Sequence, residues 1–267
     1  EQQRGGSWSD LFDRDSRLNQ NQILAVLAFY TLTTLLGLAC FPIVRLAFSG
    51  LRDQGYAFSR LVGLLLFAWL AFTAGSSGIS VTRALLTNLL IGLVGFGLLA
   101  AILTRRKLAE FFRNEWRQIL VIEFLALVAF AFLLFVRYQN PDLWHPSKGG
   151  EKPMDFSYLN AVLKSTVFPP YDPWFAGGYL NYYYFGFVLV GVPVKWLGLV
   201  PATAYNLILS LLFSTVALGA FSAGWNLLQK AQKTEGEARL SAFSGGLLAA
   251  IFTVLIGNLG TIRMIWH

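Results

Sequence analysis

Three carboxylates, two lysines and a run of tyrosines are gathered in one stretch, GGEKPMDFSYLNAVLKSTVFPPYDPWFAGGYLNYYYFG (149–186), between apolar runs that carry little reactive chemistry. Glu151, Asp155 and Asp172 are candidates for general-base work or for holding a divalent cation, because a carboxylate partly withdrawn from water does either. Lys152, with Arg137 upstream, is a candidate for neutralising an anionic substrate group. Tyr182, Tyr183 and Tyr184 follow, where the chain returns to apolar sequence. Aromatic belts are common at that depth. Three successive tyrosines point around most of a helical turn, however, so at least one must face the protein interior or wall a ligand. His145 sits in NPDLWHP among turn formers and reads as exposed.

Each acid also has a purely structural explanation. Asp155 stands at the start of a short helical pattern, where an acidic side chain caps free amides and favours the positive end of the helix dipole. Asp172 lies in PPYDPWFAGG, and Asp before Pro commonly opens a turn. Both readings stay open on the sequence alone.

The elements that must position these residues are set by composition. With 55% apolar, 15% aromatic and 13% charged residues, the chain is too oily for a soluble domain. It reads as an all-α, polytopic transmembrane helical bundle of about seven spans, near 23–44, 61–79, 84–103, 119–136, 182–200, 203–228 and 242–262. The expected organisation is an N-terminal tail (1–22), four spans (23–136), a motif loop (137–181) and three further spans (182–267). Six of the nine prolines fall in the loop, which argues for an ordered extracytoplasmic cap. Within it Phe156, Leu159, Val162, Leu163 and Val167 recur at helical spacing, predicting a short amphipathic interfacial helix with Asn160 and Lys164 toward water. The chain opens on Glu1 and stops at His267 beside an apolar run, so a longer natural polypeptide is expected.

A net charge of +7 comes from cations at span ends, the pattern of a membrane protein and not of a nucleic-acid binder. The partners expected are membrane lipid and, through exposed helix faces, other membrane proteins. The cluster TRRKLAEFFRNEWR marks a cytoplasmic loop. With Arg45, Arg52 and Arg60 it gives eight cations inside, against seven outside: Arg4, Arg14, Arg17, Arg83, Lys230, Lys233 and Arg239. That near-tie is troubling, because the 228–240 connection has a cytoplasmic composition yet falls outside in a seven-span count. Glu123 and Lys195, both near span ends, are expected to snorkel to the headgroups. Cys40, the single cysteine, reads as packing, and Gly92, Gly95 and Gly97 as points of close helix approach.

The stretch 149–186 with the GFVLVGVP that follows it resembles the signature of a multi-spanning bacterial and archaeal family named for its Tyr-Tyr-Tyr motif, Chlor_Arch_YYY. RDQGYAFSRLVGLLLFAWL upstream resembles that family's N-terminal region, so the likeness runs from about residue 36 to 228. More distantly, the family resembles C-type glycosyltransferases, which keep an acidic residue on a large extracytoplasmic loop and use a polyprenyl-phosphate sugar donor. The resemblance implies that Asp155 is the loop carboxylate and Asp172 a second acid. It implies substrate binding by Arg137, Glu151, Lys152, Tyr182, Tyr183 and Tyr184, with a divalent cation as the cofactor to look for. A plasma-membrane location follows. The chain departs from the C-type pattern in placing three extra spans before the loop.

Two functions from different classes remain. A transferase requires Asp155 beside a lipid-shaped groove, whereas a non-catalytic scaffold subunit requires Asp155 capping its own helix above solid packing. A transporter would need more ionisable residues at mid-bilayer, and haem or pigment binding would need histidine within a span.

Overall fold

The computed structural model describes residues 5–142, 150–235 and 241–256, with side chains through Gln229 in the second stretch. Arg4, His145, Arg239, His267, the side chains of Lys230 and Lys233, and the end of the expected last span lie outside the described residues. The described chain is helical: α1 Trp8–Leu11, α2 Arg17–Gln20, α3 Gln22–Ala47, α4 Ser59–Ser76, α5 Arg83–Leu103, α6 Arg105–Gln139, α7 Lys152–Lys164, α8 Phe185–Leu197, α9 Pro201–Glu235 and α10 Ala242–Ile251, which runs on as a π-helix over Phe252–Ile256. A 3-10 turn at Tyr56–Phe58 leads into α4. Five stretches have the length and hydropathy to cross a bilayer: Gln22–Ala47, Tyr56–Ser76, Arg83–Leu103, Arg105–Gln139 and Pro201–Gln229. The chain is a multi-pass membrane protein.

Local chemistry starts and bends these helices where the sequence provides for it. Asn21, Thr82 and Ser241 accept from the backbone N–H groups of Leu24, Leu85 and Ser244, satisfying amides that have no partner within the helix. Glu115 takes non-helical torsions inside α6 and kinks it. Gly97 packs directly on the Ala39 carbonyl, and Gly63 would place a Cβ 2.9 Å from the Leu36 carbonyl, so α5 and α4 both approach α3 closely. Gly92 and Gly95, expected at similar contacts, face open space.

The helices alternate between two faces. Arg137 ends α6, and its Nε donates to Asn206 Oδ1 in the second turn of α9 at 2.7 Å. At the other end Arg52 meets Glu115 at 3.6 Å, and its backbone N–H donates to Asn226 Oδ1 at 2.9 Å. So α6 and α9 are antiparallel along their length. One face holds the motif loop; the other holds the basic cluster at 105–117.

This frame overturns the expected crossing at 182–200. Here the helix is 13 residues long, about 20 Å at ~1.5 Å per residue, short of the ~30 Å hydrocarbon core. Both its ends sit on the motif face. At the start, Phe185 packs edge-on against Phe72 near the end of α4, at 5.2 Å between ring centroids. At the finish, the Gly198 carbonyl accepts from Asn19 just before α3, and the Arg83 Nε at the start of α5 donates to the Lys195 carbonyl. Gly198 closes α8 in the left-handed region, at φ 71°, which glycine adopts without strain. The chain then enters α9 from the face it left.

The amphipathic helix expected in the loop is α7. Leu159, Val162 and Leu163 are buried in the main core with Val188, Val190 and Val192 of α8, and Lys164 is exposed. Asn160 departs from expectation. It is half-buried, and its Oδ1 has no partner among the described residues.

Candidate functional site

Asp155 is the fourth residue of α7. The helix begins at Lys152 with Pro153 in its first turn, which suits proline because those amides have no helical acceptor. Glu151 occupies the capping position without a side-chain cap, and its carbonyl accepts the Asp155 backbone N–H at 2.9 Å. Of the two readings of Asp155, capping is not the one seen: the helix starts at Lys152, and Asp155 lies within its first turn. Its carboxylate has no hydrogen-bond partner among the described residues, and loss of solvent, followed by the nearby Glu151, pushes its pKa above the ordinary 3.8.

Below Asp155 opens an apolar groove of about 310 Å³. Leu159 of α7, Phe187 and Val190 of α8 and Ile208 and Leu212 of α9 line it, with Tyr183 and Tyr205 at the polar end beside Asp155. A short α8 makes this possible. Because α8 lies in the outer layer, its side chains and those of the first turns of α9 share one wall.

The Tyr triplet divides as three directions require. Tyr184 turns inward, stacked near Phe168 at 6.3 Å and beside Phe72 at 6.2 Å. Tyr183, 52% exposed, lines the groove with Asp155, and burial then Tyr182 raise its phenol pKa. Tyr182 is exposed and leans on Tyr183 at 4.0 Å between ring centroids. Arg137 donates to Asn206 and to the Asp142 carbonyl, and Tyr205 lies within electrostatic reach of both Arg137 and Asp155. Glu151 is exposed and Lys152 half-buried at the start of α7, one turn before Asp155.

Asp172 is not brought to this site. Its Oδ1 accepts the Trp174 backbone N–H at 2.8 Å, and its own N–H donates to the Gly178 carbonyl at 3.0 Å, the turn that Asp before Pro encodes. It lines a separate cleft with Ser157, Asn160 and Lys164, a different face of α7 from the one carrying Asp155. Of the three candidate acids, Glu151 and Asp155 lie together and Asp172 stands apart.

Sequence reasoning missed three polar clusters. Glu123, expected to snorkel, is paired with the buried Arg60 guanidinium and accepts the Tyr56 hydroxyl at 2.9 Å. Lys195, also expected to snorkel, is 3% exposed, and its ammonium donates to the Ser165 carbonyl at 2.6 Å. Asp53, 1% exposed, accepts from the Ser222 hydroxyl at 2.9 Å and from the Gly55 and Ala57 amides, tying the α3–α4 connection to α9. A glutamate within an apolar run and an arginine at the start of another were the available signals.

Among the described residues no three His, Cys, Asp or Glu side chains come together. With Asp172 across α7, the carboxylates at this site that could hold a cation are Glu151 and Asp155, too few for an all-protein Ca²⁺ cage and as many as a largely hydrated Mg²⁺ takes.

Residues 66–267, about three quarters of the chain, match the family model described as "Uncharacterized membrane protein (DUF2298)". No curated protein and no solved structure matches the chain.

Proposed function

This chain belongs to the DUF2298 family of membrane proteins, and on that premise we propose that it transfers a sugar from a polyprenyl-phosphate donor at the extracytoplasmic face of the plasma membrane. The observation that carries the reading is Asp155: an uncapped carboxylate at the mouth of an apolar groove, the arrangement a lipid-linked substrate needs. The likeness of the motif to the Tyr-Tyr-Tyr family, and through it to C-type glycosyltransferases, supplies the sugar.

Orientation supports the same face. α9 leaves from the motif face, and its Asn226 meets Arg52 beside Glu115 on the face of the basic cluster. The densest run of cations, Arg105, Arg106, Lys107, Arg113 and Arg117, starts α6 on the face opposite the motif loop, and the positive-inside bias makes that face cytoplasmic. The motif loop is then extracytoplasmic.

In the proposed reaction an acceptor hydroxyl attacks the anomeric carbon while the bond from that carbon to the phosphate oxygen breaks. The hydroxyl proton passes to Asp155, and the lipid phosphate leaves as the anion. A raised pKa makes Asp155 a stronger base than an exposed carboxylate, and general-base help of this kind is typically worth about 10²–10⁴ in rate. Lys152 and Arg137 supply positive charge for the leaving phosphate, and Tyr183 walls the sugar. The polyprenyl chain occupies the groove among Leu159, Phe187, Ile208 and Leu212.

The test is turnover of Asp155→Asn with a radiolabelled polyprenyl-phosphate hexose in vesicles. A fall of about 10²-fold or more with unchanged elution and helicity is expected. Retained turnover removes Asp155 from the chemistry.

A further inference from the structure

The second face of α7 builds a cleft that the donor reading does not use. Ser157, Asn160, Ala161 and Lys164 fall at i, i+3, i+4 and i+7, a single stripe along the helix, and together they line a cleft of about 540 Å³. That volume lies within the usual range for small-molecule sites. Tyr171, Asp172 and Pro173 form the opposite wall, and Trp8 of α1 completes it. The wall is fixed in place. Trp174 Nε1 donates to Ser157 Oγ at 2.8 Å, the Asp172 turn is closed by its own hydrogen bonds, and Tyr171 stacks on Tyr179 at 4.9 Å and 16°.

We propose that this cleft binds a pyranose ring, as a free hexose or as the end of a glycan. A pyranose presents one face of C–H groups and a rim of hydroxyls. Trp8 and Tyr171 offer aromatic surface for the first, and Asn160, Lys164 and Asp172 offer an amide, an ammonium and a carboxylate for the second. Asn160 Oδ1 is buried without a partner among the described residues, an acceptor that a ligand hydroxyl satisfies. The single ammonium stands with a carboxylate in the same cleft, so the lining has no net charge to select a phosphate. The purely apolar alternative is also poor, because Ser157, Asn160, Lys164, Ser165 and Asp172 are all polar. The site stands apart from Asp155 and does not depend on its chemistry.

Titration calorimetry on the protein in lipid nanodiscs, free of glycoside detergent, tests the proposal. The probes are glucose, N-acetylglucosamine and maltotriose, with glycerol and inorganic phosphate as controls. Saturable binding of a ring probe is expected with Kd near 1 mM, weakened about tenfold or more by Trp8→Ala and by Tyr171→Leu and unchanged by Asp155→Asn. Stronger binding of maltotriose than of glucose identifies a glycan end; equal binding identifies a free hexose. No saturable binding of any ring probe, saturable binding of phosphate alone, or binding that both aromatic variants leave unchanged overturns the proposal. Because Asp155→Asn is carried through the same titration, loss of transfer and loss of ring binding are read separately.

Discussion

Arg137 Nε lies 2.7 Å from Asn206 Oδ1, joining the last turn of α6 to the second turn of α9 on the motif face. Between those residues the chain makes α7 and α8 without leaving that face. The groove under Asp155 is a consequence, because a fully crossing α8 would carry Val190 and its neighbours away from α9.

The first prediction concerns sidedness. In a Cys40→Ala background, Tyr171→Cys, Gln229→Cys and Arg105→Cys report which residues share a face. A membrane-impermeant maleimide on sealed right-side-out vesicles is expected to label position 171 only, with 229 and 105 reacting after permeabilisation. Labelling of 229 together with 171 would mean that α8 crosses.

The Arg60–Glu123 pair should be costly to break from one side. Glu123→Gln leaves a buried guanidinium whose Nε already lacks a partner among the described residues. A loss of about 3 kcal/mol in a detergent unfolding titration is expected, with much of it regained in the double variant Arg60→Met/Glu123→Leu. Equal losses in the single and double variants would place the cost in the pair itself and contradict this account.

Asp53 is predicted to anchor the basic face. Asp53→Ala removes the acceptor of the Ser222 hydroxyl and of two backbone amides in a site with almost no solvent, at a cost of about 2–3 kcal/mol. A melt unchanged within error would contradict this.

How much of this could be read in advance depends on what each signal encodes. The α7 stripe Leu159, Val162, Leu163 was legible because a 3.6-residue period has one meaning at an interface. The turn at Asp172 was legible because Asp and Pro act locally. α8 was not. Hydropathy alone cannot separate a crossing helix from one buried in the outer layer, and the run 182–200 looked long enough only because it includes Tyr182–Tyr184 and Gly198–Val200, which are not helical. The cytoplasmic composition of the 228–240 connection, on the wrong side in a seven-span count, was the sign of the miscount. Asp155 was placed at the helix start because a cap is read from one residue, whereas Pro153 set the true start. The groove was invisible, since Leu159, Ile208 and Leu212 are distant in sequence and ordinary in type.

A pH-dependent stability follows from Asp155. Its folded pKa lies above the ordinary 3.8, so the folded state holds the proton more tightly than the unfolded one. That contribution is complete below the unfolded value and is lost as pH rises through the folded one. Ionised Asp155 therefore weakens the fold near pH 7. Asp155→Asn is expected to raise Tm there, with the advantage disappearing below pH 3.8. A Tm difference independent of pH would contradict the sign.

The central claim is that the groove holds a polyprenyl chain, and Gly186 gives direct access to it. Gly186 lines the groove, and a Cβ built there meets nothing within 4 Å, so Gly186→Leu fills the space without straining α8. The measurement is mass-spectrometric quantification of polyprenyl phosphate copurified with the wild type and with this variant. The account predicts the lipid in the wild type and about tenfold less or lower in a folded Gly186→Leu; no such lipid in the wild type, or equal amounts in both, contradicts it.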